Sequence, residues 1–357
     1  MANPLASRAG IVVVGAAIGV MATLLQYLGN PPNMGICVAC FERDIAGGLG
    51  LHRAGVVQYI RPEISGFVIG AFLAALLAKE YRPRGGSAPL VRFFLGVFAM
   101  IGALVFLGCP WRALLRLAGG DWNALTGLAG LATGIGVGVL FLKSGYSLGR
   151  AQTQKAASGY LFPIFMAGLF LLVAFQVTFA EGGPIFFSQK GPGSQHAPLL
   201  ISLGAGLLVG AIAQRSRFCT MGALRDVILL RDFHLMSGVA GLLVAAFAMN
   251  FILGQFKPGF AGQPIAHTDH LWNFLGMALA GLAFALAGGC PGRQLFLSGE
   301  GDLDAGIFAL GMIVGAGVSH NFAMASSPAG AAAFGPAGVI VGFVFCLAVG
   351  FTMRERA

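Results

Sequence analysis

Along the 357 residues, apolar positions come in long unbroken runs separated by short polar stretches. The runs cover 9–29, 64–79, 91–108, 122–143, 159–180, 197–213, 234–253, 270–288, 304–318 and 332–351. A helix needs roughly 17 to 25 apolar residues to cross the hydrocarbon layer of a bilayer. The runs therefore predict about ten transmembrane helices, some of them short. They lack the period-two alternation of a barrel strand, so the expected class is an all-α integral membrane protein. Run 9–29 is long for a signal segment and no A-x-A-like site directly follows it. It reads as a retained helix.

Composition agrees with the pattern. Hydrophobic residues make up 57% of the chain, charged residues 10%, and mean hydropathy is +0.83. An ordinary soluble domain is about 25% charged, so these charges cannot cover a soluble surface. Disordered chains are poor in apolar residues, which excludes disorder too. The net charge of +9 raises the question of nucleic acid. The basic residues answer it by their placement between the runs. Lys79, Arg82, Arg84 and Arg92 crowd one loop, and Lys143, Arg150 and Lys155 another. Arg8 opens the chain, and Arg354 and Arg356 close it. If ten runs span, these places share one side, which the positive-inside rule makes cytoplasmic. The opposite loops are poor: 181–196 holds only Lys190, 254–269 only Lys257, and 319–331 neither Lys nor Arg. The expected location is a bacterial inner membrane, with both termini cytoplasmic, lipid around the protein and no nucleic-acid partner.

The polar residues inside this frame are duplicated. Cys37-Val-Ala-Cys40-Phe-Glu-Arg43-Asp44 and Cys219-Thr-Met-Gly-Ala-Leu-Arg225-Asp226 both read C-x5-R-D. Gly108-Cys109-Pro110-Trp111-Arg112 matches Gly289-Cys290-Pro291-Gly292-Arg293, and Asp121 matches Asp302. The register stays within one residue over more than 80 positions, which predicts two copies of one unit. Residues 9–180 form the first and 197–351 the second, together one membrane domain. About five spans per copy is an odd number, so the second copy enters from the opposite side. Inverted repeats of this kind place a substrate site near the midplane, at the interface of the copies.

The segments after the motif cysteines, such as Ala113 to Leu117 and Thr220 to Leu230, predict short re-entrant half-helices. Irregular backbone at membrane depth is tolerated only inside protein or along a cavity. Cys109 and Cys290 each precede Pro, which favours the first helical position. The cysteine then stands at the N-cap, beside free N–H groups and the positive end of the helix dipole, a setting that attracts anions. Arg112 and Arg293 lie one turn in and strengthen the field. Arg43-Asp44 and Arg225-Asp226 read as self-neutralising structural clamps. A thiol is a weak donor and a soft, polarisable acceptor. Its choice over Ser or Asn argues for a soft sulfur or selenium anion.

The remaining motifs give little more chemistry. Cys40 stands opposite Gly222 in the repeat, and Cys37-x-x-Cys40 has no second pair with which to build a zinc site. A covalent role for Cys37 or Cys40 would make the protein a membrane thiol-transferase, the alternative to a transporter. Cys346 lies mid-span and reads as packing. The six cysteines do not imply disulfides. His267-x-x-His270 has too few companion ligands for a metal site. The glycines of 134–138 and 204–206 lie inside apolar spans and read as close helix packing. No P-loop lysine motif is present. No metal and no cofactor is expected, and the chain is not expected to be an enzyme.

Gln214-Arg-Ser-Arg-Phe-Cys219-Thr-Met-Gly-Ala-Leu-Arg225-Asp226 and Gly289-Cys290-Pro-Gly-Arg293 resemble the YeeE/YedE family of inner-membrane sulfur transporters, and so do their counterparts around Cys37 and Cys109. The resemblance covers roughly 10–350 and is closest to the YedE-like branch linked to selenium. It implies an hourglass of inverted halves, with central cysteines hydrogen-bonding a passing anion such as thiosulfate. It also implies a TusA-like sulfur carrier as cytoplasmic partner. Carried over, the pathway cysteines fall on Cys37, Cys109 and Cys290, with Cys219 as their repeat-related fourth. Cys40 and Trp111 are where this chain would narrow or retune the passage.

Overall fold

Away from water, a helix satisfies every backbone N–H and C=O within its own segment, and long apolar runs take that form. The computed structural model describes residues 3–177, 179, 183 and 185–354. In the first half it has α1 (Arg8–Tyr27), α2 (Val38–Gly48), α3 (Pro62–Leu77), α4 (Pro89–Phe106), α5 (Pro110–Ala118), α6 (Asn123–Lys143), the single turn α7 (Ala156–Gly159) and α8 (Leu161–Ala174). The second half has α9 (Leu199–Ser216), α10 (Thr220–Leu230), α11 (His234–Ile252), α12 (His270–Ala287), α13 (Pro291–Gly299), α14 (Leu303–Asn321) and α15 (Gly335–Thr352). The sheet content among the described residues is one two-residue pairing, Arg84–Gly85 with Gln152–Thr153. The protein is thus an all-α, multi-pass membrane protein. Nine helical stretches among the described residues are long and apolar enough to cross a bilayer.

Two of the ten expected spans, α3 and α8, form helices of fewer than 18 residues. The helix α3 has 16 residues. The run 159–180 yields α8, which stops at Ala174 because Gln176 turns left-handed and the Val177 N–H bonds the Leu172 carbonyl. Residues 178 and 180 of that run lie outside the described residues, as does Arg356. Starts are well marked. Proline opens α3, α4, α5 and α13. Asp269 and Asp302 accept from the first-turn amides of α12 and α14.

The long helices pair between the halves. Gly130, Gly134 and Gly138 of α6 meet Phe274, Ala278 and Ala285 of α12 in ascending order, so the two run parallel. Gly15 and Gly19 of α1 meet Gly238 and Leu242 of α11, and Gly66 and Gly70 of α3 meet Gly206 and Leu207 of α9. Gly311 and Gly315 of α14 meet Phe93 and Val97 of α4. Gly134 and Gly138 of α6 and Gly206 of α9 are therefore packing positions, whereas Gly136 and Gly204 meet open space. Elements at matching places in the repeat run antiparallel. Asn3 donates to the Arg215 carbonyl at 2.7 Å and Asn30 accepts from the Ala197 amide at 2.8 Å, which sets α1 against α9 head to tail. Arg92 donates to the Ala287 carbonyl at 2.9 Å, and His267 Nε2 lies 2.8 Å from the Val105 carbonyl, which does the same for α4 and α12. The last helices break the correspondence: α8 packs on α3 and α13, whereas α15 packs on α4 and α12.

Candidate functional site

After α1 the chain turns back inward. The backbone at Gly35 lies against Ala22, more than a turn before α1 ends, so α2 starts inside the protein. Cys37 is its N-cap, and the Sγ accepts from the Cys40 amide at 3.4 Å. In the second half Cys219 caps α10 in the same way, accepting from the Gly222 amide at 3.2 Å. Cys109 and Cys290 are the N-caps of α5 and α13, each followed by its proline. Repeat-related thiols thus do repeat-related work.

The four meet in two pairs. Cys37 Sγ lies 3.7 Å from Cys109 Sγ, and Cys219 Sγ lies 3.7 Å from Cys290 Sγ. All are free and buried. Between the pairs stands Trp111, the second residue of α5. Its ring centroid is 5.8 Å from Phe218, the neighbour of Cys219, 6.1 Å from Phe296 of α13 and 6.0 Å from Phe67 of α3. Gly292 holds the position equivalent to Trp111. A Cβ there would lie 3.1 Å from the indole, so the small residue of one copy leaves room for the large residue of the other. The indole Nε1 is buried without a hydrogen-bond partner among the described residues. Each thiol pair thus lies at the N-termini of two short helices, within their partial positive charge, and Trp111 reaches from the Cys109 helix to Phe218 and Gly292 beside the other pair.

Of the two expected arginines, Arg112 is fully buried. It donates to the carbonyls of Leu107, Ile265 (3.0 Å) and Asn33 (3.3 Å), and its Nη1 lies 3.8 Å from Cys40 Sγ. Among the described residues no carboxylate comes within ion-pair distance of it. A buried guanidinium held only by carbonyls and a sulfur keeps its field for an anion. Arg293 differs, pairing with Glu300 at 3.4 Å. Glu300 is also met by Arg217 at 3.0 Å and Arg84 at 3.6 Å, and these groups with Glu80 and Arg82 line a cavity of about 340 Å³ below α13. A second cavity, about 640 Å³, is apolar and lies among α4, α14 and α15, with none of the four thiols in its lining.

The paired residues after the cysteines are clamps in geometry. Asp44 takes Arg43 and Arg61, both at 2.6 Å, and Arg225 takes Asp226 at 2.8 Å. Sequence reasoning passed over Arg61, Arg217 and Glu300. Arg217 stands in the basic stretch before Cys219, which was a usable signal. Glu300 falls opposite Gly119 in the repeat, which gave none. His267 is engaged at Val105 and His270 lies edge-on to Phe260. No group of three metal-ligating side chains occurs among the described residues. Cys346 is buried within α15.

Outside the membrane-spanning segments, Glu80 closes the linker between α3 and α4 onto the end of α9. It accepts from Gln214 at 2.9 Å and pairs with Arg215 at 2.7 Å and Arg217 at 3.2 Å. Partial burial pushes its carboxyl up, but these partners outweigh that and hold it below the ordinary carboxylate range.

Fold and site together define a polytopic membrane protein with thiols at the tips of inward-starting half-helices. Residues 215–341, which hold Cys219 and Cys290, match the family model described as Sulphur transport. That segment belongs to the sulphur-transport family, the one its cysteine motifs resemble. Two curated relatives are named Thiosulfate transporter TsuA. The protein from Spirochaeta thermophila is 32% identical over 105 residues, which is 29% of this chain and 31% of the relative. The protein from Escherichia coli is 28% identical over 107 residues, 29% of each chain. The chain spans less than a third of the length of the curated relatives it matches.

Proposed function

We propose that the protein imports a small, soft sulfur-containing anion of the thiosulfate type through the two thiol pairs. The single observation that carries this reading is the pairing of Cys37 with Cys109 and of Cys219 with Cys290 at the starts of four short helices. The antiparallel run of α1 against α9 and of α4 against α12 supports two inverted copies, spanning 9–180 and 197–351, with the site at their interface. An anion would be drawn by Arg112 and the dipoles of α2 and α5, and held by S–H donors at Cys37 and Cys109. It would pass Trp111 when its aromatic contacts open, then meet Cys219 and Cys290. Arg293 and Arg217 would receive it at the far end. The same thiols suit a selenium analogue, since selenium is at least as polarisable as sulfur. The positive-inside reading makes the 340 Å³ basic cavity the cytoplasmic mouth in an inner membrane, where a TusA-like carrier would take the cargo.

The test is uptake by proteoliposomes of labelled thiosulfate, with sulfide, selenite and selenide compared. Cys109→Ala and Cys290→Ala are each expected to abolish uptake while the protein inserts and elutes normally. Wild-type uptake by both variants would overturn the reading. Mass spectrometry of protein quenched during turnover separates it from a thiol-transferase: a persulfide trapped on Cys37 or Cys40 would favour the enzyme.

A further inference from the structure

Glu42 lies on α2, five residues beyond Cys37. It is fully buried, and neither carboxylate oxygen has a hydrogen-bond partner among the described residues. The other deeply buried acids are engaged. Asp44 is held by Arg43 and Arg61, Asp121 by Arg116, Glu63 by Asn30, Asp304 by the amides of Gly86 and Ser87, and Glu300 by its guanidiniums. The repeat places Leu224 at the equivalent position, so the half-helix does not need a carboxyl there to fold.

Among the described residues no cation lies within ion-pair distance of Glu42. The helix α2 packs against α3, α4, α13 and α14, and the Cys37–Cys109 and Cys40–Arg112 contacts bring α5 against it as well. Their charged and titratable groups are Glu63 on α3, Arg92 on α4, Arg112 and Arg116 on α5, Arg293 on α13, and Asp304 and His320 on α14. Arg112 is held by carbonyls and Arg116 by Asp121. Glu63 and Asp304 are held as above. Arg92 bonds the Ser87 and Ala287 carbonyls, Arg293 pairs with Glu300, and the His320 ring lies 4.3 Å from that of His52. Glu42 follows Cys37 on the same half-helix, and Cys37 is the partner of Cys109. A lone carboxylate in such a place is too costly to keep, so the group holds its proton. An intramembrane acid without a structural partner marks a proton pathway by default.

We propose that Glu42 is the proton site that couples anion import to proton symport, an inference that rests on the transport reading above. Glu42 carries its proton while the anion occupies the neighbouring thiol pair; the O–H bond then breaks as the proton passes to water on the far side, and the carboxylate is reprotonated from water on the anion's side of origin. No electrons move. A dianion entering an inside-negative cell works against the membrane potential, and each accompanying proton removes one unit of that load.

The experiment uses the full chain in proteoliposomes with a trapped pH dye and labelled thiosulfate. A thiosulfate gradient is expected to acidify the lumen through the wild-type protein, and an outside-acid gradient to speed uptake several-fold. Glu42→Gln, which keeps the shape but cannot ionise, is expected to retain thiosulfate–thiosulfate exchange and lose both proton responses. Glu42→Leu, the residue the repeat itself uses, serves if the glutamine variant misfolds. A wild-type protein that takes up thiosulfate down its gradient without moving protons would overturn the inference and leave the transport reading standing, as would a Glu42→Gln protein with the wild-type pH response. Absence of exchange in the wild type would instead remove the transport reading, and this inference with it.

Discussion

Arg112 and Arg293 share a motif and a position, yet their surroundings give them different work. Arg293 answers to Glu300, while Arg112 has only carbonyls and the Cys40 sulfur around it. Replacing Arg112 with Gln keeps some of those hydrogen bonds and removes the charge. The apparent KM for thiosulfate is expected to rise about tenfold or more, in line with the ~1.5–3 kcal/mol carried by a charged hydrogen bond, with smaller change at Arg293→Gln. Concentration series of initial uptake rates check this. At this scale the sequence was most informative where residue type is rare in a membrane. Cysteine, proline, arginine and aspartate stood out of the apolar runs, and the N-cap positions of Cys109 and Cys290 could be read directly. Phe67, Phe218 and Phe296 could not, because an aromatic among 30 Phe residues carries no mark of which neighbours it will touch. The lack of a partner for Glu42 was equally invisible. Its neighbour Asp44 pairs with Arg43 in sequence, and only the packing shows that Glu42 is left out.

Helix contacts without a hydrophobic driving force depend on how closely backbones approach. At Gly134 the added methyl of alanine would run into the Ala278 carbonyl of α12. Overpacking of this kind costs about 1–3 kcal/mol, so Gly134→Ala is expected to lower the melting temperature in detergent while Gly136→Ala, which meets open space, leaves it unchanged. Fluorescence-monitored melts of the two variants side by side read the difference. The half-helices were legible because proline and the cap residue fix a start, and shortness of the apolar stretch fixes a stop. The end of α8 was not legible, since its apolar run continues past the left-handed turn at Gln176 that ends it. Periodicity records what a helix could bury, and a local turn decides where it stops.

Across the whole molecule, charge at one end ties the copies together. Glu80 in the first half grips Gln214, Arg215 and Arg217 in the second. A carboxyl held below its unfolded value contributes stability above that value and loses it as pH falls through the folded one. Thermal stability in detergent is therefore expected to decline on acidification through and below the ordinary carboxylate range, and Glu80→Gln to flatten that limb while lowering the neutral-pH plateau. Melts from pH 7 to pH 3 test it; superimposable curves would show that this grip carries no weight. At this scale four cysteines and two aspartates predict a duplication. The pairing of α1 with α11 or α6 with α12 was not legible, because small residues mark a contact surface without naming the partner. The different seats of α8 and α15 also escape a reading based on equivalence.

Parallel partnership between the halves has a consequence for biogenesis. The helices α1, α3, α4 and α6 each find their main neighbour beyond residue 198, so a nascent chain released from the ribosome at mid-length would lack the companions that seat them. Assembly must wait for the final spans, and lipids or insertases must shelter the early ones meanwhile. A fragment ending near residue 196 is expected to be cleared by membrane proteases when made alone, and to persist when the remainder is supplied as a separate polypeptide.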